Sequence, residues 1–454
     1  MRIVRLAAFC SFLLLLSAGI HAQVYSIRVE VTERIMKDRW NEVKSRNFLV
    51  VGNVGTKQLR NIAVDLEEIR RQFYSLFPRE TDYRLRTTVI VFRNEKSFQL
   101  FHQSGAGNKA RAGYIQSGVD RHYIVLNAGE KRRRQLYHDY VHLLIGPYRL
   151  PFWLQEGLAE YYASVQNERY LLGDGRTLLI GFPIYEYERV LKDSAFLPLE
   201  SLLSSTEGSS HPSENEQHRV FVAESWALVH FLHANARDLL EKWIQSIVNG
   251  TPAQESFDAI FDVRPAQLEA ALREYVRTSK SIGWPYKRIP YCMCESSPND
   301  WLQFNFDRSQ TLVKESGERK LSDAEIRFHL GDLLLHRGQT REAEAYLEEA
   351  LRLDPELVRA HASLGVLQIQ EGRYEQAKPF IDRALALDSD NPLPYFFYAW
   401  LIRHEAQQSA STLTAEDLRN MQMALQRAVR HGPYLEDPAK MLEEVNQLLG
   451  DGSS

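Results

Sequence analysis

The chain has 454 residues, of which 44% are hydrophobic and 25% charged. That is enough apolar material for two or three packed domains, and it excludes a disordered chain. With a formal net charge of -4 and a sequence pI near 6.4, no basic field calls for nucleic acid, and the compact basic run is Lys131 to Arg134.

Residues 1–22 read as a signal peptide: Arg2 and Arg5 precede an apolar run from Leu6 to Ala18, and small residues follow up to Ala22, before Gln23. The run is too short for a permanent span, and no later stretch is long and apolar enough to be one. The expectation is an exported protein, periplasmic or extracellular, with no stable membrane span after cleavage. Residues 23–38 form an N-terminal segment.

Residues 39–280 alternate strand and helix signals. Phe48-Leu49-Val50-Val51 is a short apolar run closed by Gly52. Leu59, Ile62, Leu66, Ile69 and Phe73 recur at spacings of three and four, which predicts an amphipathic helix over 57–77, ended by Pro78. Thr87 to Phe92, Gly113-Tyr114-Ile115 and His122 to Leu126 read as strands. A helix from Glu130 to Ile145 stops at Gly146-Pro147, and Pro151 suits the first turn of the next, which runs through Ala163. The text to Thr278 is largely helical, with Ser225 to Leu232 its clearest apolar segment and Ser204 to Gln217 a surface loop rich in Ser, Glu and Pro.

Residues 281–320 lack a period and hold Pro285, Pro290, Pro298, Cys292 and Cys294, so they read as a connector. Cysteines two apart rarely meet disulfide geometry, and two thiolates make half a metal site at best. Over 321–450 the chain repeats itself. Gly331 and Gly365, Ala343 and Ala377, and Ala350 and Ala384 are each 34 apart, with Pro355 closing the first unit. This is the tetratricopeptide pattern, in which small residues let two helices pack closely and each unit buries its apolar face on the next. A third unit carries Tyr398-Ala399 and a longer turn over Gln407 to Thr414, and Pro438 to Leu449 reads as a capping helix. Such an array predicts a groove for a protein partner.

The chemistry concentrates on His138 and His142. Residues i and i+4 share a helix face, so two imidazoles can reach one ion. A zinc site wants a third ligand and an open fourth position, and Glu156 on the following helix supplies the third. Glu160, one turn on, can accept the other ring N–H of a ligating histidine. Asp139 is the carboxylate left to act as general base.

His138-Asp139-Tyr140-Val141-His142 followed by Trp153-Leu154-Gln155-Glu156-Gly157-Leu158-Ala159-Glu160-Tyr161 resembles the gluzincin zinc metallopeptidases, most closely the peptidase-MA-like family of exported bacterial proteins. The resemblance runs from about Trp40 to Tyr275 and includes Ala112-Gly113-Tyr114. It implies an α+β fold: a gluzincin-like domain of mixed sheet plus helices and then a helical lobe, here followed by the all-α solenoid. It also implies Zn2+ held by His138, His142 and Glu156, Asp139 as base, and Glu160 behind the ligands. The strand from Tyr123 to Asn127 would be the edge that pairs with an extended peptide substrate. This chain departs from the family in carrying Asp139 where glutamate is usual and Val222 where a tyrosine is common, with Tyr161, Tyr162 or His230 as substitutes for the missing hydroxyl. Two functions follow: a zinc metallopeptidase acting on peptide or protein substrates, or a weak or inactive zinc-binding relative that scaffolds an envelope assembly through its repeats.

Overall fold

A computed structural model describes residues 35–77, 86–102, 112–146, 148–168, 177–194, 196–205, 216–278 and 318–451. The expected signal peptide, Cys292, Cys294 and most of the connector lie outside the described residues. Asn41–Lys44 (β1), Phe48–Gly52 (β2), Arg86–Phe92 (β3), Gly113–Ser117 (β4) and Arg121–Asn127 (β5) belong to one sheet. Val165–Glu168 (β6) and Thr177–Ile180 (β7) make a separate antiparallel hairpin, and Glu318–Lys320 (β8) returns to the main sheet. The order across its six strands is β4-β5-β3-β2-β1-β8. β2, β3 and β5 run parallel, which forces crossovers. Thr56–Phe73 (α1) supplies the first, and the second carries Glu95–Gln99 (α2) and β4, which turns back antiparallel to β5.

Side chains alternate across the sheet, and both faces are dry. Val43, Val50, Val89, Val91, Ile124 and Leu126 pack beneath α1, Arg134–Ile145 (α3) and Phe152–Ala163 (α4). Val51, Ile90, Phe92, Tyr123 and Val125 face the other way, onto the C-terminal helices. Strands buried on both sides read as continuous apolar runs, as β3 does in Thr-Val-Ile-Val-Phe.

Beyond β7 come Tyr185–Asp193 (α5), Leu199–Leu203 (α6), Glu216–Asn235 (α7), Arg237–Val248 (α8), Ala253–Phe261 (α9) and Pro265–Thr278 (α10). The expected loop over Ser204 to Gln217 ends early, because Glu216 and Gln217 already belong to α7; residues 206–215 lie outside the described residues. The C-terminal helices are Asp323–His336 (α11), Thr340–Leu353 (α12), Val358–Gln370 (α13), Tyr374–Ala386 (α14), Pro392–Gln408 (α15), Ala415–His431 (α16) and Glu436–Asp451 (α17), the last at the place expected for the capping helix. A capping box starts the array: Ser322 Oγ accepts from the Glu325 N–H at 3.2 Å while Glu325 accepts from the Ser322 N–H at 2.8 Å. At Gly365 a Cβ would stand 2.7 Å from Ile381 Cγ1, so the small residue is what lets α13 and α14 touch.

The array is not a separate body beyond a tether. Leu330, Leu333, Leu334, Ala343 and Leu347 join Ile90, Phe92 and Val125 in one buried cluster, making the first repeat helices the third layer of a helix–sheet–helix stack. The last three residues of the expected connector are β8, paired antiparallel with β1. Nothing in Glu318-Arg319-Lys320 has strand propensity, and all three residues are exposed. What holds them is pairing, with Arg319 forking onto the buried Glu42 at 3.0 and 2.9 Å.

Candidate metal centre

Helix α3 presents Arg134, His138 and His142 at successive i, i+4 positions, hence on one face, while Tyr137, Tyr140, Val141 and Leu144 anchor its other side in the core. The Gly146 N–H closes the helix on the His142 carbonyl at 3.0 Å. The chain then turns back into α4, which is fixed by buried Trp153, Leu154 and Leu158. Gly157 lets α4 lie against α7: a Cβ there would meet Ser225 O at 2.4 Å and Val229 Cγ2 at 2.6 Å. This contact sets the height of Glu156 and Glu160 over the histidines.

His138 Nε2 and His142 Nε2 are 3.0 Å apart. Glu156 sends Oε1 to within 3.2 Å of His142 Nε2 and Oε2 to within 3.8 Å of His138 Nε2. Among the described residues, His138, His142 and Glu156 form the group of potential metal ligands, with all three donor atoms within 4.8 Å of one another. Zinc bonds of about 2.0–2.1 Å put the edges of a tetrahedron near 3.3 Å, which the 3.0 Å between the two ring nitrogens and the 3.2 Å from His142 Nε2 to Glu156 Oε1 approach. The donor set, two imidazoles and a carboxylate, is also one that zinc accepts.

Glu160 stands behind the first histidine, its Oε1 3.1 Å from His138 Nδ1. A carboxylate there directs the proton to Nδ1 and leaves Nε2 free as a donor atom. Arg134 Nη1 lies 3.8 Å from Glu160 Oε2, and Tyr187 stands beside the same carboxylate. Burial alone lowers the His138 pKa, but the hydrogen bond and charge of Glu160, with Glu156 nearby, leave it raised. Burial pushes Glu160 up, and His138 and Arg134 outweigh it, holding the carboxyl below its usual range.

Asp139, the next residue after His138, is half-buried, and its Oδ1 accepts from Gln135 Nε2 at 3.0 Å. It is not among the converging donor atoms.

Tyr123 and Asn127 do not form a substrate-pairing edge. Strand β5 lies between β3 and β4, its hydrogen bonds used on both sides. The Tyr123 hydroxyl donates to Asp332 of α11, and Asn127 donates to Glu95 while its Oδ1 accepts the Gly129 N–H at 3.0 Å. Among the described residues, β4 pairs with β5 alone and leaves its other side as the sheet edge. The candidate substitutes for the missing hydroxyl are engaged elsewhere too. Tyr161 Oη is 2.9 Å from His233 Nδ1, Tyr162 donates to Gln72 O at 3.1 Å, and His230 sits between Gly181 O at 3.0 Å and Tyr275 Oη at 2.6 Å. Val222 is buried in α7.

Sequence reasoning missed Arg134 and Tyr187. The arginine could have been found, since it stands four residues before His138 on the same helix face. Tyr187, whose ring lies under the Arg134 guanidinium at 5.2 Å, comes from α5 and has no local signal.

Helices α11 to α14 and the start of α15 carry the relationship that comparison with known proteins supports. Residues 316–399 match the tetratricopeptide repeat. Tetratricopeptide repeats point to protein binding, through the extended surfaces that stacked helix pairs create. No curated protein matches the chain.

Proposed function

We propose that the chain is an exported zinc-dependent hydrolase of peptide bonds whose tetratricopeptide layer binds protein. The observation that carries the reading is the convergence of His138, His142 and Glu156 donor atoms within 4.8 Å, with Glu160 at 3.1 Å behind His138. Bound there, zinc would supply Lewis-acid chemistry, acidifying water and polarising an amide carbonyl. The remaining roles fall to the chain itself. Glu160 keeps the His138 proton on Nδ1, and Arg134 and Tyr187 keep Glu160 ionised and oriented. Asp139 takes the proton of the attacking water and returns it to the leaving amine. An extended peptide pairs with the open edge of β4 through main-chain hydrogen bonds.

One observation favours a second reading, a zinc-binding protein with little turnover. The Asp139 side chain is one methylene shorter than glutamate, and its Oδ1 already accepts from Gln135 at 3.0 Å. Metal analysis and a peptide-cleavage screen on wild type, His142→Ala and Asp139→Glu separate the readings. Stoichiometric zinc lost in His142→Ala, with cleavage that rises at least about tenfold in Asp139→Glu, supports the hydrolase. Zinc without cleavage in wild type and Asp139→Glu supports the binder, and a wild type that holds no zinc sinks both.

A further inference from the structure

Three parts of the repeat array close on one turn of the sheet, and a fourth backs one of them. The turn joins β4 to β5 and carries Gly118 and Asp120, with Arg121 opening β5. From α11, His336 Nε2 lies 2.9 Å from Asp120 Oδ1, and Asp332 Oδ2 lies 3.2 Å from Arg121 Nη1. From α13, Ser363 donates to Asp332 Oδ1 at 2.5 Å. Asn391, the N-cap of α15, donates to Asp120 Oδ2 at 2.9 Å, and Tyr434, between α16 and α17, donates to Asp120 O at 3.3 Å. Arg121 Nε returns to Asp120 Oδ2 at 3.1 Å. Asp120 and Asp332 are 7% and 1% exposed, so these charges are out of water and lean on one another. The fit is close: a Cβ on Gly118 would lie 2.3 Å from His336 Cδ2.

The same hairpin borders the histidine helix. At the start of β4 a Cβ on Gly113 would stand 3.0 Å from Leu136 Cδ1 of α3, two residues before His138. β4 therefore lies between the charged node on the repeats and the helix that carries the candidate ligands.

We propose that the repeat array acts as an intramolecular clamp: its inner surface takes this chain's own β4–β5 turn as ligand, and so positions the β4 edge beside the histidine helix. Asp332, His336, Ser363 and Asn391 are then positioning residues, acting on substrate only through β4. An external partner reaching this part of the array competes with the turn, which ties partner binding to the cleft. The role of β4 toward substrate rests on the peptidase reading; the clamp itself does not.

The test is Asn391→Asp in the full chain. Aspartate caps α15 as well as asparagine does, by accepting the Leu393 N–H that now lies at 2.9 Å, but it sets a second carboxylate against Asp120. Hydrogen exchange of amides in 113–127 should accelerate at least about tenfold, while α1, α3 and α13 stay within about twofold of wild type. Peptide KM should rise with kcat nearly unchanged. Ser363→Ala, a milder change, should move the same amides in the same direction and carries the test if Asn391→Asp does not fold. Unchanged exchange in 113–127, equal acceleration throughout, or a fall in kcat at constant KM would overturn the clamp. If the wild type cleaves no peptide, the peptidase reading fails while the exchange measurement still decides the clamp.

Discussion

Replacing Gly157 with alanine sets two known effects against each other. Alanine in a helix interior is favoured over glycine by about 1 kcal/mol, so α4 alone would gain. Against that, the new Cβ falls 2.4 Å from the Ser225 carbonyl oxygen and 2.6 Å from Val229 Cγ2. The overlap with the oxygen is about 1 Å, and a backbone atom of α7 cannot rotate away as a side chain would. Overpacking of this kind costs about 1–3 kcal/mol, and an immovable neighbour argues for the upper end, leaving a net loss of about 2 kcal/mol. Urea unfolding in EDTA, which removes any contribution from bound metal, measures it. The shift should also displace Glu156, one residue away, and weaken zinc binding. A Gly157→Ala protein as stable as wild type would refute the close approach of α4 and α7.

Gly365→Ala supplies the contrast: its nearest backbone neighbour is Ile381 N at 3.4 Å and its clash is with a side-chain carbon, so it should cost less than Gly157→Ala in the same assay. Glu160→Gln keeps the shape behind His138 but loses the charge, and should lower zinc affinity about 10–100-fold in a chelator competition; unchanged affinity would remove Glu160 from the site. Glu224 is fully buried in α7 with one donor, the Leu197 N–H at 2.9 Å, and burial pushes its carboxyl from 4.5 up to about 7. The folded state then holds a proton that the unfolded chain has released, so stability falls as pH rises from 4.5 to about 7, by up to about 3 kcal/mol. Glu224→Gln should flatten that slope in urea midpoints taken at pH 5 and pH 8, and a slope unchanged by the substitution would contradict the assignment.

What could be read from the sequence was local. The spacing of His138 and His142, the break at Gly146 and the restart at Pro151 lie within one helical hairpin, so their geometry follows from helix periodicity and chain reversal. The 34-residue repeat was equally legible, because each unit touches only its neighbours. Strand order was not. Tyr123 looks like any strand residue, and only the return of β4 on one side and β3 on the other makes β5 interior. Glu318-Arg319-Lys320 carries three charges and no strand signal, since its conformation comes from β1. Tyr187 reaches Glu160 from a helix 27 residues further along the chain, across a contact that no pattern in α5 announces.

The pairing of β8 with β1 has a bearing on how the protein is made. Arg319 and Glu42 are 277 positions apart, so the strand that completes the sheet leaves the ribosome long after the strand it joins. Until the repeats follow, the face of the nascent chain that carries Val51, Ile90, Phe92 and Val125 has Trp40, Phe98 and Phe101 on it but lacks the repeat helices that complete its cluster. A gene truncated ahead of Glu318 would freeze the chain in that state and yield a protein prone to aggregate rather than a smaller working unit. For the same reason, gain or loss of the repeats in evolution could not proceed as exchange of a detachable module, because the histidine helix and the repeats are cladding on two sides of one sheet.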